Sequence, residues 1–156
     1  MKKISFGLFL IVLISCSKDI TVSVEEQLQK DIETIDKYLT DNAITAETDP
    51  SGLRYVVTTP GTGMKPTLIN KIKVRYTGKL MSNGAIFDQT TGTSTATFAL
   101  SSLIIGWQIG FPLLNKGSKA TMYIPSGLGY GPKGSSPAIP ANAILIFDVE
   151  LVDVTL

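Results

Sequence analysis

The segment Lys71 to Asp88, KIKVRYTGKLMSNGAIFD, leaves the fewest choices about how this chain folds. Ile72, Val74, Tyr76 and Leu80 fall on one side of a two-residue alternation, and Lys71, Lys73, Arg75, Thr77 and Lys79 fall on the other. A period of two with one dry and one wet face is the pattern of a strand lying on a core. Ser82-Asn83-Gly84 then predicts a tight turn, because Asn and Gly tolerate the positive φ that such a turn demands. The return limb carries Ile86 and Phe87, followed at once by Asp88. An aromatic next to a carboxylate at a strand end admits two readings. Asp88 caps the following turn, or it stands at the rim of an apolar cavity whose walls the rest of the chain supplies.

At 156 residues the chain accommodates one compact domain with short appendages, and 44% apolar residues suffice for its core. There is no histidine. Ser-His and Cys-His nucleophile pairs, histidine acid–base catalysis and the commonest zinc ligand are therefore excluded. No metal or cofactor is expected. The single cysteine, Cys16, excludes an intrachain disulfide. A formal charge of +1 without a Lys/Arg cluster gives no nucleic-acid surface. Gly127 to Gly131 is glycine-rich but lacks the GxxxxGK[ST] pattern of a phosphate loop.

Lys2 and Lys3 precede an apolar run from Ile4 to Ile14 that is too short to span a membrane, which takes roughly 20 apolar residues. This is a secretory leader over residues 1–15. Leu13-Ile14-Ser15-Cys16 resembles the bacterial lipobox, in which cleavage precedes a cysteine that is then acylated. The expectation is a mature protein lipidated at Cys16, attached to a membrane of the bacterial cell envelope with its domain outside the cytoplasm; the other reading is an ordinary signal peptide with a chance cysteine. Residues 16–49 read as tether and helix. Ser23 and Glu26 form a capping box, and Leu28, Ile32, Ile35 and Leu39 follow at helical spacing to about Leu39. That narrow stripe either packs on the main domain, or self-associates, or docks a partner.

Residues 50–156 change to short strands and turns. Strands are expected at Leu53–Thr58, in the hairpin already described, at Ala96–Leu100, at Lys119–Ile124 and at Ala143–Val152. Ser101 or Ser102 can cap a short helix over Leu103–Leu114, apolar all round and so buried. Gly106, Gly110 and Pro112 weaken it intrinsically. Pro125 to Ala141 is a long loop dense in Gly and Pro, a length that usually carries function.

The domain thus offers many aromatics (among them Tyr76, Phe87, Phe98, Trp107 and Phe147) and few polar groups beside them: Asp88, tyrosine hydroxyls and backbone N–H groups. One reaction needs no more than such a pocket. Rotation about an Xaa–Pro bond is opposed by amide resonance, a barrier of roughly 18–20 kcal/mol. The planar amide is the more charge-separated form, so an apolar cavity destabilises it more than the twisted transition state. Hydrogen bonds placed for the twisted form add to the difference.

Tyr76-Thr77-Gly78 with Phe87-Asp88, Leu103-Ile104-Ile105-Gly106-Trp107, Tyr130-Gly131, Ile139-Pro140 and Phe147-Asp148-Val149-Glu150-Leu151, in this order, resemble the FKBP-type peptidyl-prolyl isomerases from about Gly52 to Val152. The resemblance implies an α+β fold: a bent antiparallel sheet of five or six strands wrapped around one short helix, here preceded by an N-terminal helix. It implies Trp107 as the pocket floor under a prolyl ring, and Tyr76, Phe87, Leu103, Ile104 and Phe147 as walls. The Ile104 N–H and the Tyr130 hydroxyl are implied donors to the ligand, Asp88 the rim carboxylate, and Ile139 a loop residue closing over the site. Pro-containing polypeptides are the implied partners, and macrolide inhibitors such as rapamycin the implied ligands. Ala96 stands where many relatives place a further aromatic wall. Ile105 occupies a position often Pro or Arg, and Pro112 falls inside the expected helix. Two other readings stand beside the enzyme: a chaperone that binds Pro-containing segments, and a structural envelope subunit docked through the Leu28–Leu39 stripe.

Overall fold

Strand β3 (Lys71–Leu80) organises the sheet in the computed structural model, which describes residues 23–156. The expected leader, Cys16 and the tether lie outside the described residues. Ile72, Val74 and Leu80 are buried on the inner face, as the alternation requires. Along one side β3 pairs over its whole length with β7 (Leu145–Thr155). Along the other it pairs first with β5 (Ala96–Ala99) and then with β4 (Ile86–Gln89). The sheet continues from β7 through β6 (Lys119–Ile124) and β2 (Arg54–Thr59) to β1 (Glu47–Thr48), all antiparallel. Seven strands result, the one beyond expectation being the two-residue β1. Register shifts at Lys73/Val74 and Gly78/Lys79 interrupt β3, and such bulges bend a sheet. Gly84 supplies the positive φ (71°) of the β3–β4 turn.

The sheet wraps helix α2 (Ile105–Gly110) on its inner side. No side chain caps α2, and its N-cap is Ile104, not Ser101 or Ser102 as expected. Ser102 instead turns its hydroxyl to the Ala99 carbonyl (2.8 Å). The helix is also shorter than expected, because the chain tightens into a 3₁₀ turn, Phe111–Leu113, that holds Pro112. Its glycines allow the close seat: a Cβ on Gly106 would stand 2.5 Å from Ile124 Cγ2, and one on Gly110 2.7 Å from the Met122 sulfur.

Helix α1 (Val24–Asp41) lies on the outer face. Both halves of the capping box form: the Glu26 N–H donates to Ser23 Oγ (3.1 Å) and the Ser23 N–H to Glu26 Oε2 (2.9 Å). Ile35 and Leu39 are buried against Tyr123 and Ile146 of the sheet. Leu28 and Ile32 sit over Gly52, where an added Cβ would meet their Cδ1 atoms at 3.0 Å. The Arg54 guanidinium grips Asp36 with two bonds, 2.8 and 3.1 Å. The stripe thus packs on the chain's own main domain, the first of the three readings, with Ile35 and Leu39 buried on the sheet and Leu28 and Ile32 half-buried over the Gly52 turn. Helix and sheet share one packed cluster, and β1 bridges the stretch around Asp49.

Candidate active site

Four elements meet at a cavity of about 330 Å³ on the inner side of the sheet. β3 brings Tyr76, β4 brings Phe87 and Asp88, α2 and the residues before it bring Leu103, Ile104 and Trp107, and β7 brings Phe147. Tyr130 reaches the mouth from the loop after β6. Gly78 explains how the walls close. A Cβ there would fall 2.7 Å from both Phe87 Cζ and Phe147 Cε1, so only glycine lets the two rings meet over the strand.

Trp107 forms the floor, 4% exposed. Rings stand edge-on around it: Tyr76 at 5.2 Å and 86°, Phe147 at 5.1 Å and 78°, Phe111 at 4.9 Å and 69°. Edge-to-face pairs of this kind favour one arrangement beyond the area they bury. The indole N–H has no hydrogen-bond acceptor among the described residues, as befits a floor of aromatic and aliphatic carbon.

Polar groups gather at the mouth. The Tyr76 hydroxyl donates to Asp88 Oδ2 at 2.7 Å. Asp88 is therefore at the rim, as the second reading holds, with its residue surface exposed. Burial pushes the Tyr76 hydroxyl far above the ordinary tyrosine range, and its bond to Asp88 pushes it further. Burial, then the Asp88 charge, also raises Tyr130. Both hydroxyls remain protonated donors at neutral pH. Ile104 is the N-cap of α2; the first helical bonds run to its carbonyl from Trp107 (2.9 Å) and Gln108 (3.2 Å). Its own N–H precedes them, where helix donors have no intrahelical acceptor.

Of the site residues expected from sequence, Ile139 alone fails to reach the cavity. It is 5% exposed and packs into the main core, its N–H and C=O tied to Ser135 (2.8 Å each). The bridge to Ser135 holds its backbone, and its side chain is spent on the core. Two lining residues were missed, Phe98 and Ser102. The signal for Phe98 was present: Ala96, Phe98 and Leu100 alternate, and Phe98 pairs with Ile72, which puts both on the inner face. Ser102 carries no such signal.

A larger groove, about 430 Å³, lies on the outer face of the sheet. Its charges already neutralise one another: Arg75 meets Glu150 at 3.1 Å, and Asp148 holds Lys79 and the Thr121 hydroxyl, each at 2.7 Å. Size alone does not make it the site. The aromatic cavity has the unpaired chemistry.

The sequence profile of the family described as FKBP-type peptidyl-prolyl cis-trans isomerase matches residues 63–152. A probable FKBP-type peptidyl-prolyl cis-trans isomerase FkpA of Neisseria meningitidis is 42% identical over 109 residues, 69% of this chain and 40% of that protein. The outer membrane protein MIP of Legionella longbeachae is 39% identical over 106 residues, 67% of this chain and 45% of that one. The chain thus spans less than half the length of these curated relatives. A crystal structure of a peptidyl-prolyl cis-trans isomerase from Pseudomonas syringae pv. tomato superposes with a TM-score of 0.71 at 30% identity, covering 82% of this chain and 96% of that one. The fold, the cavity and the matched segment agree: this chain belongs to the FKBP-type peptidyl-prolyl cis-trans isomerases.

Proposed function

We propose that the chain isomerises Xaa–Pro bonds of proteins folding outside the cytoplasm, from a lipid anchor at Cys16. The observation that carries the reading is the cavity itself: an aromatic box with protonated tyrosines at its mouth and no acid–base pair inside. A prolyl ring set on Trp107 takes its imide out of water. The charge-separated planar form loses most by that transfer, and the barrier of roughly 18–20 kcal/mol falls. The Ile104 N–H and the Tyr130 hydroxyl receive the substrate carbonyls, and Asp88 fixes the Tyr76 ring that forms one wall. Proton transfer and covalent intermediates have no part in it.

Envelope attachment rests on the leader and the Leu13–Cys16 motif, and a Legionella relative carries the name outer membrane protein. No helix among the described residues is long and apolar enough to cross a membrane. Mass spectrometry of the protein made in a bacterium that processes lipoproteins tests the anchor. Acylated Cys16 at the new N-terminus is expected, and Cys16→Ser releases the chain from membranes.

The isomerase reading is tested by exchange NMR on short Xaa–Pro peptides with a chain starting at Ser17, with and without rapamycin. Acceleration that rapamycin suppresses is expected. Tyr130→Phe loses about tenfold in kcat/KM, the worth of one hydrogen bond to the transition state. A folded protein that leaves exchange rates unchanged while protecting unfolding clients would instead establish the chaperone.

A further inference from the structure

Among the described residues, Asp31 is the only buried charged side chain, 2% exposed. It lies in α1, outside the segment that matches the family profile, and far in sequence from the aromatic cavity. One carboxylate oxygen accepts both the backbone N–H of Ser126 (2.7 Å) and the Ser126 hydroxyl (2.5 Å). The other accepts Gln27 Nε2 (2.7 Å). Ser126 is wholly buried and opens the 3₁₀ turn Ser126–Leu128, which leads to Tyr130. We infer that Asp31 is a positioning residue for the isomerase site: it anchors the loop that carries Tyr130, through Ser126, from the opposite side of the sheet.

The reasons are geometric. Tyr130 is 39% exposed, so its own packing does not fix it. A hydroxyl that must meet a substrate carbonyl needs a backbone held within a fraction of an ångström. The backbone after Ser126 is linked rigidly to it: Leu128 N–H donates to the Pro125 carbonyl and Gly129 N–H to the Ser126 carbonyl, each at 3.0 Å. Gly129 also lies against Leu145, where an added Cβ would fall 3.0 Å from Cδ1. Beyond Tyr130, the Asn142 N–H ties the Gly131 carbonyl at 2.9 Å. The loop is therefore pinned on both sides of Tyr130, and the pin on the near side is a carboxylate. That carboxylate is itself fixed, since α1 is clamped by Arg54 on Asp36 and by Ile35 and Leu39 in the outer cluster. A buried carboxylate holding a hydroxyl and an amide is a strong anchor, because its removal leaves both donors unpaired.

This rests on the isomerase reading, and the test separates the two. In the full chain, purified in mild detergent, kcat/KM for a Pro peptide is measured for Asp31→Ala, Tyr130→Phe and the double variant. Asp31→Ala is expected to lose about tenfold, comparable to losing the hydroxyl itself. In the Tyr130→Phe background the same change is expected to cost almost nothing, since a residue acting through Tyr130 has nothing left to position. Asp31→Asn, which keeps an acceptor for Ser126, recovers most of the activity. Ser126→Ala removes only the hydroxyl and repeats the test in a chain that keeps its amide bond to Asp31. Amide exchange at Gly129 to Gly131 reports the loop without reference to turnover, and it is expected to quicken in Asp31→Ala. Additive losses in the double variant, or unchanged exchange in the loop, would overturn the inference. An inactive parent chain with the exchange change intact would instead overturn the isomerase reading and leave the anchor standing.

Discussion

The two helices are held by opposite means. α1 has 18 residues, a full capping box, an i,i+4 pair between Lys37 and Asp41 at 2.7 Å, and one apolar stripe. Its helical state is written locally, and the sheet only decides where it rests. α2 has six residues, no side-chain cap and two glycines. Nothing local favours it. It exists because the sheet closes around it and because Gly106 and Gly110 let it approach Ile124 and Met122. The aromatic cavity is built on this second helix, so the candidate site inherits its precision from long-range packing. A helix that forms itself is suited to clamp a sheet from outside. A helix made by its surroundings sits where those surroundings need a floor.

Two substitutions in and beside α2 should break that contrast most sharply. Phe111 is fully buried at the end of α2 and packs on Trp107. Phe111→Ala should cost about 3–5 kcal/mol in denaturant unfolding, and the fluorescence of Trp107 should report a wetter floor. Next comes Gly106→Ala. Propensity alone would make it stabilising by about 1 kcal/mol. The new Cβ would stand 2.5 Å from Ile124 Cγ2, on a β-branched side chain with little freedom to turn. A net loss of about 1–3 kcal/mol is expected, with weaker isomerisation because Trp107 moves. A stabilised protein would show that local propensity, not packing, governs α2.

The same division explains how much was legible in the sequence. The β3–β4 hairpin and α1 declare themselves, since a period of two and a capping box are local signals. The bounds of α2 were misplaced because Ser101 and Ser102 look like caps, whereas the chain reaches the helix through extended residues at Leu103 and Ile104. β1 has two residues and no period to read. The resemblance sets Ile139 at the mouth, whereas long-range packing buries it in the core, which no local pattern announces. Asp31 did leave a trace. It stands three residues after Leu28 and four before Ile35, squarely on the apolar stripe, where a carboxylate has to find partners. The sequence could not say that Ser126, 95 positions away, supplies them.

On α1, the cap is the sensitive place. Ser23→Ala removes the acceptor of the Glu26 N–H and should lower stability by about 1 kcal/mol, a fall of several degrees in Tm. Turnover should hold, because Asp31 and the Arg54–Asp36 clamp lie beyond the first turn. A large loss of activity from Ser23→Ala would mean that α1 depends on its surroundings as much as α2 does.

The smallest expected effect is a flat one. Burial, first among the causes, raises the hydroxyls of Tyr76, Tyr123 and Tyr130 above the ordinary tyrosine value, with Asp88 adding to the first and last. A group whose folded-state pKa is raised holds its proton longer folded than unfolded. Its contribution is complete below the unfolded value, about 10, and is lost as pH climbs through the folded one. There is no histidine to titrate near neutrality. Isomerisation measured by exchange NMR should therefore stay level from about pH 6 to about pH 9.5, and on the alkaline side stability should begin to fall above about pH 10. Trp107 fluorescence during alkaline unfolding would follow that fall at the pocket itself. A bell-shaped rate profile centred near neutral pH would break the comparison from the other side, since it would require proton transfer in a cavity proposed to act by shape, dryness and fixed donors alone.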